Sequence, residues 1–172
     1  MVKEESISLS LVVPCLNESE NICLFLERFK EITSEITFPL EIIVVDGCSD
    51  DGTPEILKEE FKSLDRSRFK LILMEQRKGY GNDILEGLKE AMNDTLAWTH
   101  ADLQTDVKDV ITGFEIFNSY GNKRLIVKGK RKRRKFLDVI LTIGMQIFSL
   151  LILRINLNDI NAQPKIFSRE FF

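Results

Sequence analysis

The sequence predicts an α/β fold in which a mostly parallel sheet carries helices on both faces. Two observations lead to this prediction. Short apolar runs of strand length alternate with longer segments of helical periodicity, and a polar or glycine-bearing segment follows each of the first four runs. Such an alternation requires crossover connections, which place helices against both faces of a parallel sheet. A length of 172 residues is suited to one domain.

Five segments are interpreted as strands because they are short, apolar and bounded by turn residues. In chain order they are 7–16, 41–53 with its terminal turn, 69–76, 95–102 and 124–130. Ligands of open parallel sheets bind outside the carboxyl ends of the strands. The loops after the first four strands are therefore expected to meet at one edge of the sheet: PCLNESE, DGCSDDGT, QRKGYGN and HADLQTD.

Four intervening segments have apolar residues at helical spacing. They are 17–36, 53–64, 82–94 and 107–121. Pro54 lies at the start of the second segment, where a helix tolerates proline. We expect Asn17 or Ser19 to cap the first helix and Asn82 to cap the third, because short polar side chains accept hydrogen bonds from the first turn.

The net charge of −3 is unevenly distributed, because the run KGKRKRRK at 128–135 holds seven positive charges and no negative ones. This asymmetry indicates an anionic partner for the run. The acidic remainder of the chain and the lack of interleaved aromatic residues disfavour nucleic acid as that partner. Three cysteines without metal-ligand spacing are interpreted as reduced thiols. The acidic N-terminal segment is unlike a signal peptide.

An amphipathic helix is expected over 136–153, directly after the basic run. Its apolar face comprises Phe136, Val139, Ile140, Ile143, Ile147, Leu150 and Leu151. A basic run beside such a helix suits a membrane surface with anionic lipid, and the alternative is a solvated loop followed by a core helix. Asp138 and Gln146 argue against a membrane span. We therefore divide one domain into a core at 1–127 and a basic, membrane-facing part at 128–172.

Two strand-end loops hold candidate nucleotide-binding residues. Asp46, at the tip of the second strand, either accepts hydrogen bonds from a ribose or base or satisfies the backbone of a turn. Gly79 and Gly81 allow the backbone to approach a phosphate next to a helix N-terminus. The two glycines do not form the dinucleotide-binding fingerprint, which requires a different spacing directly after the first strand.

The segment HADLQTD holds candidate metal ligands, since His100, Asp102 and Gln104 lie on one side of an extended chain. Oxygen ligands suit Mg²⁺ and Mn²⁺, whereas a neutral imidazole suits Mn²⁺ rather than Mg²⁺. We therefore expect Asp102 to bind a metal. His100 is either a further ligand or a structural residue.

In this order, the motifs resemble those of family 2 glycosyltransferases with a GT-A fold, and most closely the dolichol-phosphate mannosyltransferase-like branch. VVPCLNESENI is similar to the family's P-x-x-N-E segment, IIVVDGCSDDGT to V-V-D-D-G-S-x-D-G-T, and HADLQTD to D-A-D-L-Q. KGYGNDILEGLKEA resembles its glycine turn and helix, VKGKR its G-S-R strand end, and NDINAQPKIFSREFF its D-x-x-S-G-F-R-L-F-x-R-E segment. The resemblance covers essentially the whole chain.

The resemblance implies an inverting transfer of a hexose from a GDP- or UDP-sugar to a polyprenyl phosphate, such as dolichyl or undecaprenyl phosphate, with Mg²⁺ or Mn²⁺. The implied nucleotide-binding residues are Pro14, Asn17, Glu18, Asp46, Gly79 and Gly81. The implied metal ligands are Asp102, Gln104 and His100. Asp102, Arg131 and Lys165 would be catalytic, with the two cations binding the acceptor phosphate and neutralising developing charge.

The chain departs from the family pattern at four of these positions. Gly47 replaces the second acid of D-D-G-S, Cys48 replaces its glycine, and His100 replaces the first acid of D-x-D. Lys165 stands where arginine is usual, which keeps the charge and loses the bidentate geometry. Family members normally continue beyond the S-R-E-F-F segment, so we expect a shortened or naturally short form.

These observations predict a peripheral membrane glycosyltransferase at the cytoplasmic face of a membrane. A lipid phosphate is already an anion and needs no strong general base, whereas a sugar hydroxyl needs a carboxylate. One alternative is therefore a transferase that extends a surface polysaccharide or another glycan. The other is a non-catalytic, nucleotide-binding module that docks on a membrane.

Overall fold

The computed structural model describes residues 7–102, 106–121, 124–131, 143–144, 146–147, 150–152, 154, 159 and 161–172. The strands in this part of the chain are β1 (Leu9–Cys15), β2 (Leu40–Asp46), β3 (Phe69–Leu73), β4 (Thr95–Trp98), β5 (Ile126–Lys128) and β6 (Lys165–Ser168). The helices are α1 (Ile22–Glu35), α2 (Thr53–Glu60), α3 (Tyr80–Glu90) and α4 (Val107–Ser119), followed by a 3₁₀ turn at Arg169–Phe171.

The strands form one sheet in the order β3-β2-β1-β4-β6-β5. The four strands from β3 to β4 are mutually parallel, and β6 pairs antiparallel with both β4 and β5. The predicted α/β class with a mostly parallel sheet is therefore confirmed. The four polar loops follow the carboxyl ends of β1 to β4 and so lie at one edge of the sheet, where open α/β sheets bind ligands.

Alternate residues of the central strands face two separate cores. Leu11 and Val44 face a core that is covered by α1, α2 and α4. Val12 and Ile43 face a second core that is covered by α3. Because both faces are buried, the strands have continuous apolar sequences rather than an alternation of apolar and polar residues.

The predicted helix caps are wrong in both cases. The first helix begins at Ile22, after Asn21, so neither Asn17 nor Ser19 caps it. Asn17 instead has a left-handed backbone, with φ 58°, in the loop before the helix. The third helix begins at Tyr80 after Gly79, which places Asn82 inside its first turn. The loop before α1 is held by contacts with a distant segment, which a local sequence pattern does not contain.

Strand β6 was not predicted, and it changes the composition of the sheet. It lies between β4 and β5, so the predicted fifth strand is an edge strand that reaches the rest of the sheet only through β6. Arg169, directly after β6, donates hydrogen bonds to the carbonyl oxygens of Ala91 and Asn93 at 2.7–3.0 Å. These bonds tie the end of α3 to the strand that completes the sheet.

The segment predicted to be amphipathic is helical at residues 143–144, 146–147 and 150–152, and its other residues, Phe136, Val139 and Ile140 among them, lie outside the described part. The large apolar side chains described there are exposed: Ile143, Ile147, Leu150, Leu151 and Ile152. Among the described residues, no helix combines the length and the hydropathy that crossing a membrane requires.

Candidate active site

The loop after β1 is held by side chains of the loop after β2. The backbone N–H groups of residues 17–19 donate, in order, to Ser49 Oγ, Thr53 Oγ1 and Asp51 Oδ2, at 2.9, 3.0 and 3.0 Å. Three consecutive amides are thus satisfied by three side chains of the segment S-D-D-G-T. The two loops form one rigid unit at the edge of the sheet.

Asp51 is the centre of this unit. Its Oδ1 accepts hydrogen bonds from the backbone N–H and the hydroxyl group of Thr53, at 3.0 and 2.6 Å. Burial opposes ionisation of Asp51, but the hydrogen bonds from Thr53 and Ser19 outweigh it and hold the pKa of the carboxyl well below its ordinary value. Asp51 therefore acts as a fixed anion that orders the loops.

The predicted nucleoside residues of the first loop differ in accessibility. Pro14 is buried within β1, where it pairs with Val45. Asn17 is exposed, and its side-chain oxygen accepts a hydrogen bond from the Asp50 backbone at 3.1 Å. Glu18 is half-buried. The structure brings these residues to one strand end, with Asn17 and Glu18 accessible to a ligand.

Asp46 has less access to solvent than its predicted role requires. Only 1% of the residue is exposed, so direct contact with a base or ribose is not open to a ligand in this structure. Its Oδ2 accepts a hydrogen bond from the Ser49 backbone at 3.0 Å, as a turn carboxylate does. Its buried Oδ1 has no hydrogen-bond partner. A role in the turn therefore explains the hydrogen bond of Asp46 Oδ2, but it does not explain why the buried Oδ1 has no partner.

The predicted glycines border open space at the start of α3. Gly79 precedes the helix with φ 92°, a conformation that favours glycine, and Gly81 lies in the first turn. A Cβ added at either residue would meet no atom within 4 Å. The N-terminus of an 11-residue helix therefore faces a space that an anion can enter.

His100 and Asp102 were predicted within the fourth strand at 95–102, but β4 ends at Trp98 and residues 101–102 form a bend, so both residues lie in the loop after the strand. The His100 ring stacks on Tyr80, with centroids 5.1 Å apart and an angle of 22° between the planes. Burial lowers the pKa of His100, with Lys165 adding to the effect and Asp102 opposing it. Burial and then the Asp102 charge raise the pKa of Tyr80. The imidazole is therefore neutral near pH 7, which is the form that binds a metal.

The donor set is suited to a divalent ion that takes further ligands from a substrate. Asp102 is half-buried beside the neutral imidazole, and a carboxylate with an imidazole suits Mn²⁺ better than Mg²⁺. Gln104 lies outside the described residues. Within the described part of the chain, no three His, Cys, Asp or Glu side chains converge as a complete metal site.

Lys165, at the start of β6, lies against the end of β4. Its Nζ is 5.0 Å from the centroid of the Trp98 ring. Gln163 holds the same tryptophan: with its amide group oriented to match its neighbours, it donates to the Trp98 carbonyl and accepts from the indole Nε1, both at 3.1 Å. Burial lowers the pKa of Lys165, and the positive charges of Lys128 and Arg131 lower it further.

Arg131 is oriented by Asp159. Its Nε and Nη2 donate to Asp159 Oδ1 at 2.9 and 2.6 Å, and its backbone N–H donates to Oδ2 at 3.0 Å. Lys128 Nζ donates to the Asp159 carbonyl oxygen at 3.3 Å. The charges of Lys128 and Arg131 both act on Lys165. We call these three residues the cation cluster.

Sequence reasoning identified two members of the cation cluster and missed the residues that organise it. Lys128, Asp159 and Gln163 all lie in segments whose resemblance to the family had been noted. Their roles depend on the pairing of β5 with β6, which sequence reasoning did not predict. Lys165 lowers the pKa of His100 and Glu18 raises it, so the imidazole lies within electrostatic reach of both residues.

Two curated relatives are similar over different shares of the chain. A dolichyl-phosphate beta-glucosyltransferase of Dictyostelium discoideum is 26% identical over 96% of this chain and 55% of its own length. An undecaprenyl-phosphate 4-deoxy-4-formamido-L-arabinose transferase of Pectobacterium carotovorum subsp. carotovorum is 29% identical over 60% of this chain and 31% of its own. The chain thus spans between about a third and just over half of these relatives.

Solved structures share the fold at low sequence identity. A mannosyltransferase of Pyrobaculum calidifontis, in complex with GDP-Man and Mn²⁺, has a TM-score of 0.65 at 21% identity, over 94% of this chain and 44% of its own. A mannosyl-3-phosphoglycerate synthase of Rubrobacter xylanophilus has a TM-score of 0.71 at 15% identity, over 96% and 55%. These neighbours place the sheet and its helices in the GT-A fold.

A sequence model of one family spans most of the described sheet. The model of glycosyl transferase family 2 matches residues 10–150, from β1 to the helical residues beyond the basic run. The matched range includes the strand-end loops and Arg131, while Lys165 lies after it. The chain belongs to glycosyl transferase family 2.

Proposed function

We propose that the chain forms the core of an inverting hexosyltransferase that takes a nucleotide sugar as donor and a polyprenyl phosphate as acceptor. The placement of Lys165 against Trp98, with Arg131 in electrostatic reach, carries this proposal. It puts cations beside the strand end that continues into His100 and Asp102. His100 and Asp102 are metal-type ligands, and Lys165 and Arg131 are cations. A site with both kinds of group side by side suits two substrates that each carry phosphate.

The donor is a GDP- or UDP-hexose in this proposal. Asn17 and Glu18 are accessible on the ordered first loop and would contact the nucleoside, with Pro14 forming the strand end beneath them. The diphosphate would lie near the open N-terminus of α3, at Gly79 and Gly81, where backbone N–H groups and the helix dipole favour an anion.

A divalent metal, Mg²⁺ or Mn²⁺, would neutralise the donor diphosphate when bound. Asp102 would hold it, with His100 as a second ligand and Gln104 as a third. The neutral imidazole favours Mn²⁺, and one structural neighbour was solved with Mn²⁺ and GDP-Man. The diphosphate oxygens would supply the remaining ligands.

A polyprenyl phosphate is the proposed acceptor, as in the names of the two curated relatives. Its phosphate oxygen is anionic near neutral pH and attacks the sugar without a strong base. The nearby carboxylates are committed elsewhere: Asp106 caps α4 by accepting from the Lys108 backbone, and Asp159 orients Arg131. Lys165 and Arg131 would hold the acceptor phosphate and stabilise the charge that develops on the leaving diphosphate.

We also propose that the enzyme attaches peripherally to the cytoplasmic face of a membrane. The exposed side chains of Ile147 and Leu151 support this assignment over a core helix, because a core helix would bury them. The basic run at 128–135 precedes this segment and suits an anionic lipid surface.

The proposal is tested by transfer from radiolabelled GDP-mannose and UDP-glucose to dolichyl and undecaprenyl phosphate in detergent, with Mn²⁺ and with EDTA. We expect transfer with one donor in Mn²⁺ and none in EDTA. Lys165→Ala should abolish transfer to the lipid phosphate, since it removes the positive charge that lies over Trp98. Lys62→Ala, which removes an exposed lysine just after α2, is the matched control.

Three outcomes would contradict this proposal. Undiminished transfer by Lys165→Ala would remove that residue from acceptor binding. Transfer only to a glycan hydroxyl would favour the polysaccharide alternative. Tight nucleotide binding without turnover of any donor would favour a non-catalytic module.

A further inference from the structure

Position 47 is occupied by glycine because a side chain from α3 fills its place. The backbone of Gly47 has no positive φ, so its conformation does not require glycine. A Cβ at this residue would lie 2.6 Å from Asp83 Oδ2 and 3.3 Å from Asp83 Cγ. The Asp83 carboxyl group therefore occupies the space that a side chain at residue 47 would enter. The acid that the family pattern has at this position is absent, and a carboxyl group is supplied from another element.

Asp83 and Asp46 form a buried pair of carboxyl groups. Asp83 is 3% exposed and Asp46 is 1% exposed. The Oδ1 atom of each has no hydrogen-bond partner. The charge of Asp46 acts on Asp83, and a proton on one of two interacting buried carboxyl groups relieves their repulsion. Burial, and then the charge of Asp46, raises the pKa of Asp83, so a proton is held more tightly there than on an ordinary carboxyl group.

We propose that Asp83 is a positioning residue of the nucleotide site, which fills the place of a side chain at position 47 and donates a hydrogen bond to Asp46. The inference rests on the proposed function. A single proton between the two carboxyl groups would satisfy both unpaired oxygens. It would also fix Asp46 in the orientation in which its other oxygen accepts from the Ser49 backbone.

A short series of hydrogen bonds links Asp83, through Asp46, to the loop after β1 that contains Asn17. Asp46 holds the backbone of Ser49, and Ser49 Oγ accepts from the Asn17 backbone at 2.9 Å. Asn17 Oδ1 accepts in turn from the Asp50 backbone at 3.1 Å. Asp83 thus controls the position of the loop that would contact the nucleoside, although Asp83 itself is buried away from the ligand.

The experiment compares two substitutions of similar size at position 83. Asp83→Asn keeps an N–H donor toward Asp46, whereas Asp83→Leu fills the space without a donor. The dissociation constants of GDP and UDP are measured by calorimetry with Mn²⁺, together with thermal unfolding of each protein. We expect Asp83→Asn to bind the preferred nucleotide within about threefold of wild type and Asp83→Leu to bind it at least about tenfold more weakly. Glu90→Ala, at the exposed end of the same helix, should leave binding unchanged.

A second pair of variants tests the shared space. Gly47→Asp alone brings a side chain into the Asp83 carboxyl group and should abolish binding. The double variant Gly47→Asp with Asp83→Ala returns the carboxyl group to position 47 and should bind better than either single variant. This recovery is a coupling between the two positions that independent structural damage does not produce.

The outcomes separate this inference from the proposed function. If wild type binds GDP or UDP and Asp83→Leu binds equally well, the inference is wrong and the proposed function stands. Equal weakening by Asp83→Asn and Asp83→Leu, or a double variant no better than the single ones, also overturns the inference. If wild type binds neither nucleotide, the proposed function itself fails, and the inference fails with it.

Discussion

Tyr80 stacks on His100, so that the residue that opens α3 fixes the imidazole that follows β4. The contact joins the helix whose N-terminus would face the diphosphate to the strand end that would hold the metal. The position of the imidazole is therefore set before any ligand binds.

We predict that His100→Asp changes the metal preference of nucleotide binding from Mn²⁺ toward Mg²⁺, because a carboxylate oxygen is the harder ligand. Titration of GDP or UDP binding against each metal measures the change. Tyr80→Phe keeps the stacked ring and should preserve the wild-type preference. An unaltered ratio of Mg²⁺ to Mn²⁺ affinity in His100→Asp would mean that the imidazole does not ligate the metal.

Gly129 is packed against the segment that precedes Lys165, and we predict that Gly129→Ala disrupts acceptor binding. A Cβ at residue 129 would lie 1.9 Å from the carbonyl oxygen of Gln163, and the Gly129 N–H donates to the Pro164 carbonyl at 2.9 Å. Both contacts are with backbone, which cannot rotate away, so the segment that carries Lys165 must shift. Transfer should fall while donor binding persists.

Gly144→Ala is the control for this change, since a Cβ at Gly144 would meet no atom within 4 Å and alanine favours a helix. It should be neutral or slightly stabilising. Full transfer activity in Gly129→Ala would show that the position of Lys165 does not depend on this contact.

Asp159→Asn should raise KM for the lipid phosphate with little effect on KM for the nucleotide sugar. The substitution removes the anion that orients Arg131 through two guanidinium hydrogen bonds, and such charge-assisted bonds contribute roughly 1.5–3 kcal/mol each. We expect about a tenfold rise, which corresponds to roughly 1.4 kcal/mol. Steady-state kinetics with each substrate varied in turn would measure it, and an equal rise for both substrates would argue for general damage.

The pH dependence of stability should be traceable in part to Glu41, at the opposite end of the sheet. Its carboxylate pairs with Lys70 at 2.6 Å and accepts from Ser10 and the Met92 backbone. Burial opposes ionisation, but these bonds outweigh it and lower the pKa below its ordinary value of 4.5. Because the folded pKa is depressed, the stabilisation is complete above pH 4.5 and is lost as the pH falls through the folded pKa.

Urea unfolding at several pH values would test this prediction. Glu41→Gln should cost about 1–3 kcal/mol at neutral pH, the range for a buried polar group that loses a charged partner. The variant should also lose less stability than wild type on acidification. Identical pH profiles for the two proteins would exclude Glu41 as a source of the dependence.

Attachment to anionic vesicles should depend on the exposed apolar residues near the basic run. Leu151, which is 74% exposed, is predicted to enter the lipid interface, so Leu151→Asp should reduce co-sedimentation with vesicles that contain phosphatidylserine. Ile116→Asp, on α4 and 44% exposed, is the control and should leave sedimentation unchanged. Equal losses in the two variants would indicate a nonspecific effect of charge.

The strand ends could be predicted from the sequence because a short apolar run followed by a polar loop is a local pattern. This pattern predicts that Asp46 and His100 lie at the same edge of the sheet, where the structure has them. The starts of α2 and α4, at Thr53 and Val107, agree with the prediction, whereas those of α1 and α3 do not. Asparagine often caps helices, but the Asn17 backbone N–H donates to Ser49 Oγ and the Asn17 side-chain oxygen accepts from the Asp50 backbone. A local sequence pattern contains neither contact.

The same limit applies to the candidate site. In the sequence, Asp83 is an ordinary acidic residue in the first turn of a helix. Its carboxyl group lies beside Gly47 only because α3 packs against the sheet. Lys165 was identified through the family resemblance, whereas its neighbours Gln163 and Asp159 depend on the pairing of β6 with β5. The roles of Asp83, Gln163 and Asp159 therefore depend on contacts between segments that are distant in the sequence, and local patterns did not predict them.

The inner position of β6 has a consequence for the order in which the protein can form. Among the described strands β6 is the last to be synthesised, yet it lies between β4 and β5. Until it emerges from the ribosome, β4 is an open edge and β5 has no neighbour with which to pair. Strands β1 to β4 can assemble during synthesis, whereas β5 joins the sheet only when β6 is available.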